Sequence, residues 1–406
     1  MRMESLMHKT LRVSVASLVL SFVALVSAPA EAQKKYDPGA TDKEIRVGTV
    51  MPVSGSFSEY AAIGKAMAAY FEGVNDNGGV NGRKVRFTNL DGGGDPKRSL
   101  EQARKLVEEE QVLLTAGIWG SGPNKAIRPY LNEKKVPQLF VASSEETFND
   151  PAHYPWTMGF MASRRTEGQA YVKAILRMKP AARIAVLASE DEDGTESVTA
   201  IRDALGEKAK TMLVKEARFK LSDDAAVDAA VAALKESGAD VFLNMAAGRS
   251  AARAIRTAYD LGWRPMQLIP STASSIGAVL EPAGLEKAKG IISNSRSKKW
   301  EPEMWRSDAG MRIFVAWMWA YKMDAGYKDG NVVLGYQIAD ALTQLIRKCG
   351  DDLTRANVLK QATSLDLELG MLRDGIRVTT SPTDYRPIKD VFLVRFDGKT
   401  WVPLVP

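Results

Sequence analysis

Residues 45–94 constrain this chain more than any other stretch. They open with the run Ile45-Arg46-Val47-Gly48-Thr49-Val50-Met51, which is apolar and β-branched enough to be a buried strand. Residues 52–58 follow as a turn. Ile63, Met67, Tyr70 and Val74 then recur at three- and four-residue spacing, as one face of a helix requires. Asn77-Gly78-Gly79-Val80-Asn81-Gly82 stops that helix, and 84–89 reads as a second strand. Strand, helix and strand in this order make a βαβ unit, the building block of an open α/β sheet. The 54–57 loop, which carries Phe57, leaves the carboxyl end of the first strand, where such sheets bind ligands.

The same rhythm continues. Strands are expected at 112–116 and 138–141, with a helix between them whose inner face carries Ile127, Tyr130 and Leu131. Near 161 the pattern restarts. Strands at 183–187, 211–215, 240–244 and 265–269 alternate with helices at 165–178, 223–236 and 249–261, and with one marked by Val198, Ile201 and Leu205. Asp223 or Asp224 is placed to cap the second of these. Two consecutive α/β blocks, about 43–163 and 164–292, predict two open lobes. Residues 293–335 are rich in Trp and Tyr, among them Trp300, Trp305, Trp317, Trp319, Tyr321 and Tyr327, and Phe314, Met318 and Tyr321 are spaced as core residues. A further helix is expected at 335–347. The end of the chain, 391–396 and 401–404 about Asp397-Gly398-Lys399, reads as a β-hairpin too short to stand alone, so it must dock on a lobe.

Residues 1–32 read as a secretory signal peptide. Lys9 and Arg12 precede an apolar run, and small residues offer cleavage near Ala30 or Ala32. No cysteine follows it, so a lipoprotein is not expected. Cys349 is the single cysteine, which rules out an internal disulfide. A net charge of +6 is mild, and basic residues interleave with acids, so a nucleic-acid surface is not expected. His153 is the one histidine beyond the leader. Zinc needs three or four converging ligands, so no metal site is expected. A histidine-assisted nucleophile is not expected either, on the same count. Gly92-Gly93-Gly94 precedes Asp95, whose charge would repel a phosphate, and is read as a turn. No cofactor and no enzymatic activity are expected.

What remains is a set of loops at strand carboxyl ends, rich in hydroxyls, glycines and backbone N–H groups. They contain Ser121, Ala142, Ser143, Ser144, Asp191, Asp193, Ala247, Thr272 and Ser274. Hydroxyls and N–H groups at helix starts can receive a carboxylate without a lysine or arginine. Ser121 is the first choice for that role, although it could simply cap its own helix. Phe57 and Trp119 would supply apolar walls. An α-amino acid would need an acid for its ammonium, and Asp191, Asp193 or Glu145 could serve. A carboxylate without an amine would need none.

Several stretches together carry a family resemblance. They include 46–48 through Ser54-Gly55, Asn75-Asp76-Asn77-Gly78-Gly79-Val80-Asn81-Gly82-Arg83, Val136-Pro137-Gln138-Leu139-Phe140, Tyr154-Pro155-Trp156-Thr157-Met158-Gly159 and Gly262-Trp263-Arg264-Pro265. Cys349-Gly350-Asp351-Asp352-Leu353-Thr354-Arg355 and Thr380-Ser381-Pro382-Thr383-Asp384-Tyr385 complete the set. The chain resembles the periplasmic solute-binding proteins of ABC importers of the branched-chain amino acid (leucine/isoleucine/valine) type. The resemblance implies an α/β protein of two open three-layer αβα lobes, of the type I periplasmic-binding-protein kind. Three crossover segments would join them, and the C-terminal hairpin would dock on one lobe. The lobes would comprise 43–163 plus about 296–364, and 164–292 plus about 368–406.

The resemblance also implies a monomeric periplasmic receptor that closes on a small solute and delivers it to an inner-membrane permease with two cytoplasmic ATPases. Two departures stand out. Asp193 lies before Gly194, where relatives usually carry an aromatic residue, and Asn294-Ser295-Arg296-Ser297 lies where relatives of this subgroup commonly have a tyrosine. The ligand class stays open between a branched-chain or other amino acid and an aromatic or other carboxylic acid. The alternatives are a ligand sensor feeding a membrane receptor, an exported enzyme and a structural envelope protein.

Overall fold

The computed structural model describes residues 34–220, 223–298, 305–323 and 329–404. The expected signal peptide, Trp300 and Tyr327 lie outside the described residues.

The opening unit folds as its pattern requires. β1 (Glu44–Met51) and β2 (Lys84–Asp91) pair in parallel along their full length, from Glu44 opposite Lys84 to Met51 opposite Asp91. α1 (Ala61–Asp76) crosses between them. α2 (Pro96–Glu108) begins at Asp95, whose side chain accepts the Arg98 N–H, with proline in the first turn. β3 (Leu114–Ala116), α3 (Ser121–Glu133), β4 (Gln138–Val141) and β5 (Thr157–Gly159) complete a parallel five-stranded sheet in the order β2-β1-β3-β4-β5.

The second half repeats the plan. α4 (Arg164–Met178) is capped by Ser163. β6 (Ile184–Ser189), α5 (Glu192–Leu205), β7 (Leu213–Phe219) and α6 (Asp224–Lys235) follow. Of the two candidate caps, Asp223 accepts the Ala226 N–H. β8 (Val241–Asn244), α7 (Gly248–Asp260), β9 (Met266–Leu268) and β10 (Ile292–Ser295) come next. A strand expected at 211–215 instead begins at Leu213 and runs to Phe219. Residues Ala209–Met212 form a helical turn, and pairing with β6 sets where the strand ends.

The chain then returns. α8 (Ala309–Ala320) buries Phe314, Trp317 and Met318 but leaves Trp319 exposed. α9 (Gly330–Cys349) packs on α1, and at Gly335 a Cβ would lie 2.3 Å from the Ile63 carbonyl oxygen, so only glycine allows this approach. α10 (Arg355–Ala362) is capped by Thr354. Leu365, Leu367, Leu369, Leu372, Ile376, Val378, Tyr385 and Ile388 all join the core of the first sheet. Asp366–Leu367 pairs with Val378–Thr379 and folds this segment back on itself. Leu393, Val394 and Phe396 pack on the cores of the second sheet.

The hairpin does more than dock. β11 (Phe392–Phe396) pairs antiparallel with β10, and β12 (Trp401–Pro403) pairs with β11. The second sheet thereby has seven strands in the order β12-β11-β10-β9-β8-β6-β7. The chain thus passes between the two sheets three times, after β5, after β10 and before β11. Cys349 is buried, and burial pushes its thiol up to about 12, so it is an inert core residue.

Candidate functional site

Parallel strands deliver their following loops to one end of a sheet. In the first sheet those loops gather an aromatic cluster. Tyr60 stacks on Trp119 at 4.2 Å, and Phe57 lies 5.2 Å from the same ring. Asp91, at the end of β2, holds the neighbouring loop by accepting the N–H groups of Val53, Ser54 and Gly93 and the Ser54 hydroxyl. Burial would raise its carboxyl, but these bonds and Arg98 outweigh that and lower it to about 2.

Ser121 is the first residue of α3, and Gly120 occupies the cap position with φ +92. Ser121 therefore does not cap its own helix. Its Oγ lies 3.0 Å from Ser143 Oγ, and the N–H groups of Ser121 and Gly122 have no partner within the helix, as at any helix start. Ser143 Oγ also accepts the Glu145 N–H. Ser144 is buried, with its hydroxyl against Met161 Sδ at 3.8 Å. Ala142 has committed its backbone to the sheet, its N–H to Ile118 and its carbonyl to Gly120.

The second sheet's loops gather charge. Arg164 is buried at the start of α4, and its Nε and Nη2 meet both Asp193 oxygens at 2.8 and 2.9 Å. Nη1 donates to Glu167 Oε2 at 2.7 Å. Burial alone would lower this guanidinium, but Asp193 and Glu167 hold it well above its ordinary value. Glu167 Oε1 accepts the Ser271 N–H, the Ser271 hydroxyl and Asn294 Nδ2. Asn294 also donates to the Tyr171 hydroxyl, which donates to the Ile269 carbonyl. One network thus ties α4, α5, β10 and the loop after β9 together.

The other candidates from this half have assigned partners or positions. Asp191 caps α5, accepting the Gly194 N–H and the Ser189 hydroxyl. A Cβ on Gly194 would lie 2.2 Å from the Ser189 carbonyl oxygen, which fixes glycine beside Asp193. Ala247 occupies the cap position of α7. Ser274 donates to the Ser271 carbonyl, and its own carbonyl accepts Trp401 Nε1. Thr272 Oγ1 is buried without a partner.

The two rims meet. The Glu146 N–H donates to Glu196 Oε1 on α5 at 2.6 Å, and the Arg164 N–H donates to the Ser144 carbonyl. Lys125 on α3 bridges Glu145, at 2.5 Å, and Glu192 on α5. Tyr60, pushed up to about 12 first by burial and then by Glu59, feels the charges of Arg164 and Asp193. Glu196 is raised to about 7 by burial, with Glu145 and Asp193 adding to the shift. A surface groove lined by Asp228, Arg253 and Thr257 lies away from these loops, and its carboxylate is already satisfied by the other two.

Phe57 and Trp119 thus come together, as do Ser121 and Ser143, while Asp193 is held by Arg164. Tyr60, Arg164 and Glu167 escaped sequence reasoning. One signal was available for Arg164: a cation in a first helical turn opposes the helix dipole and must be held there by something else. Among the described residues, no group of three or more His, Cys, Asp and Glu side chains could hold a metal, and no helix is long and apolar enough to cross a membrane.

Known proteins share this fold. The model of a family described as periplasmic binding protein matches residues 44–400. A Leu/Ile/Val-binding protein homolog 1 from Brucella abortus is 35% identical over 85 residues, which is 21% of this chain and 23% of that protein. The chain therefore aligns with about a quarter of that relative's length. A branched chain amino acid ABC transporter structure from Thermus thermophilus with bound valine superposes with TM-score 0.79 and 16% identity, covering 89% of this chain and 96% of that one. A solute-binding protein of an ABC transporter from R. palustris, in complex with 4-hydroxybenzoate, gives 0.75 and 18%, covering 89% and 96%.

Proposed function

Because the chain belongs to the periplasmic binding protein family, we propose that it is an exported receptor that closes its two halves on a small carboxylate solute and hands it to an inner-membrane ABC permease. The halves are the layers around the two sheets, hinged where the chain crosses between them. The leader is removed near Ala30 or Ala32, and the receptor works in the periplasm as a monomer. It binds without making or breaking covalent bonds.

One observation carries this reading. The Ser121 and Ser143 hydroxyls and the free N–H groups of α3 stand beside an aromatic wall, opposite a network whose acids are already paired. Hydroxyl and N–H donors fit a carboxylate, and the rings fit an apolar or aromatic body. Asp191 and Asp193 are engaged within the protein, so neither calls for an ammonium. An aromatic or other amine-free acid fits best. Closure follows because such a solute touches both rims, and only differential affinity shifts an open–closed balance.

A second reading has one observation in its favour. Glu145 is buried, and its Oε1 has no hydrogen-bond partner, so it could meet the ammonium of an amino acid. Calorimetry of the purified protein against benzoate, 4-hydroxybenzoate, aliphatic acids and branched-chain amino acids decides between them. Amine-free acids are expected to bind. Binding confined to amino acids, and lost in Glu145→Gln, would establish the second reading, and silence across the panel would defeat both.

A further inference from the structure

Arg296 follows β10 at the second crossing between the sheets. Its carbonyl accepts the Arg373 N–H, and the next residue, Ser297, bridges to Leu372 in the first core's returning segment. Its side chain is 9% exposed. Among the described residues its guanidinium makes no hydrogen bond, no ion pair and no ring contact, and its Nε is enclosed without an acceptor. Glu167, the carboxylate whose charge it feels, already has Arg164, Ser271 and Asn294. Asn294, two residues before Arg296, reaches into that same network.

A guanidinium this buried costs several kcal/mol unless an anion meets it. It also offers five donors in a planar fork matched to a carboxylate. No described residue supplies that anion. The donors on Ser121 and α3 lie on the first rim and can receive one acid group, while Arg296 lies where the second sheet hands the chain back. We propose that Arg296 receives an anionic group of the solute, which is therefore a dicarboxylate with one acid at Ser121 and the other at Arg296. This deepens the receptor function proposed above and rests on it.

The test pairs dicarboxylates with their monocarboxylate partners: glutarate and adipate against valerate, and terephthalate against benzoate. Calorimetry on the full chain should rank each diacid above its partner. Arg296→Gln should weaken diacid binding about a hundredfold and leave monoacids unchanged, and Arg296→Lys should recover part of the loss. Thermal melting without solute should leave Arg296→Gln as stable as the parent or more so, because an unpaired buried charge is removed. Monoacids preferred by the parent protein, or diacid affinity unchanged in Arg296→Gln, would overturn the assignment of Arg296 alone. An Arg296→Gln protein that melts lower and binds diacids as before would give the residue a structural role and overturn it too. Failure of the parent to bind any acid would overturn the receptor function itself.

Discussion

The two facing rims are built on opposite principles. On the first, polar groups are left open: the Ser121 and Ser143 hydroxyls touch each other, and the first turn of α3 has N–H groups to spare. On the second, polar groups consume one another. Arg164, Glu167, Asp193, Ser271, Asn294 and Tyr171 form a closed circuit with few donors left over. The difference teaches where recognition and rigidity reside. Open donors beside stacked rings can trade water for a solute, whereas a closed circuit fixes the loops that the first rim meets. A saturated network rigidifies, and it is costly to interrupt.

The comparison can be broken by mutation, and the largest effect should come from the closed circuit. Arg164→Met strands the buried Glu167 and the half-buried Asp193 and should cost about 3–5 kcal/mol of stability, seen as a steep fall in melting temperature. A loss near zero would mean that the circuit does not hold the second rim. Ser121→Ala tests the open rim. It should weaken a bound carboxylate by roughly 1–3 kcal/mol while melting stays unchanged. Unaltered affinity would remove Ser121 from the site.

The contact between the rims should depend on pH. Glu196 is raised to about 7, chiefly by burial. A raised acid contributes fully to folding stability below its unfolded value, and that contribution is lost as pH rises through about 7. The Glu146 N–H favours the charged carboxylate, but burial and the charges of Glu145 and Asp193 outweigh it, so the protein should lose roughly 1–2 kcal/mol of stability between pH 5 and pH 8, after allowance for solvent screening. Asp91, lowered to about 2, keeps the first rim's loop clamped over that whole range. Melting curves at the two pH values, with Glu196→Gln flattening the difference, check this. The smallest effect should come from Tyr60→Leu. Removing its stack on Trp119 should weaken an aromatic acid by about 1 kcal/mol and affect aliphatic acids less.

Much of the architecture could be read before any coordinate was known, because it is written in local periodicity. The 3.6-residue stripe of Ile63 and Met67 and the apolar run of β1 each announce their element, and alternating elements announce an open α/β sheet. The hairpin about Asp397-Gly398 was legible for the same reason, but its place beside β10 was not, since sequence does not record which edge a strand joins. The site divided likewise. Hydroxyl-rich loops after strands could be listed. The pairing of Arg164 with Asp193 spans 29 residues and joins two helices, and no spacing rule reveals it. Asp193 looked like a spare acid for an ammonium because its partner lay in another element. Val378 looked like a late-chain residue bound for the second half, and its packing is with the core of the first sheet.

The position of α9 has a consequence for the order of synthesis. This helix lies against α1 in the first core, yet some 250 residues separate them, and Gly335 meets the carbonyl of Ile63. A growing chain that stops short of α9 has its opening five strands but lacks the layer that seals one side of them. Contacts so distant in sequence form late and slowly. The half translated first is thus finished only after nearly all of the chain has been made.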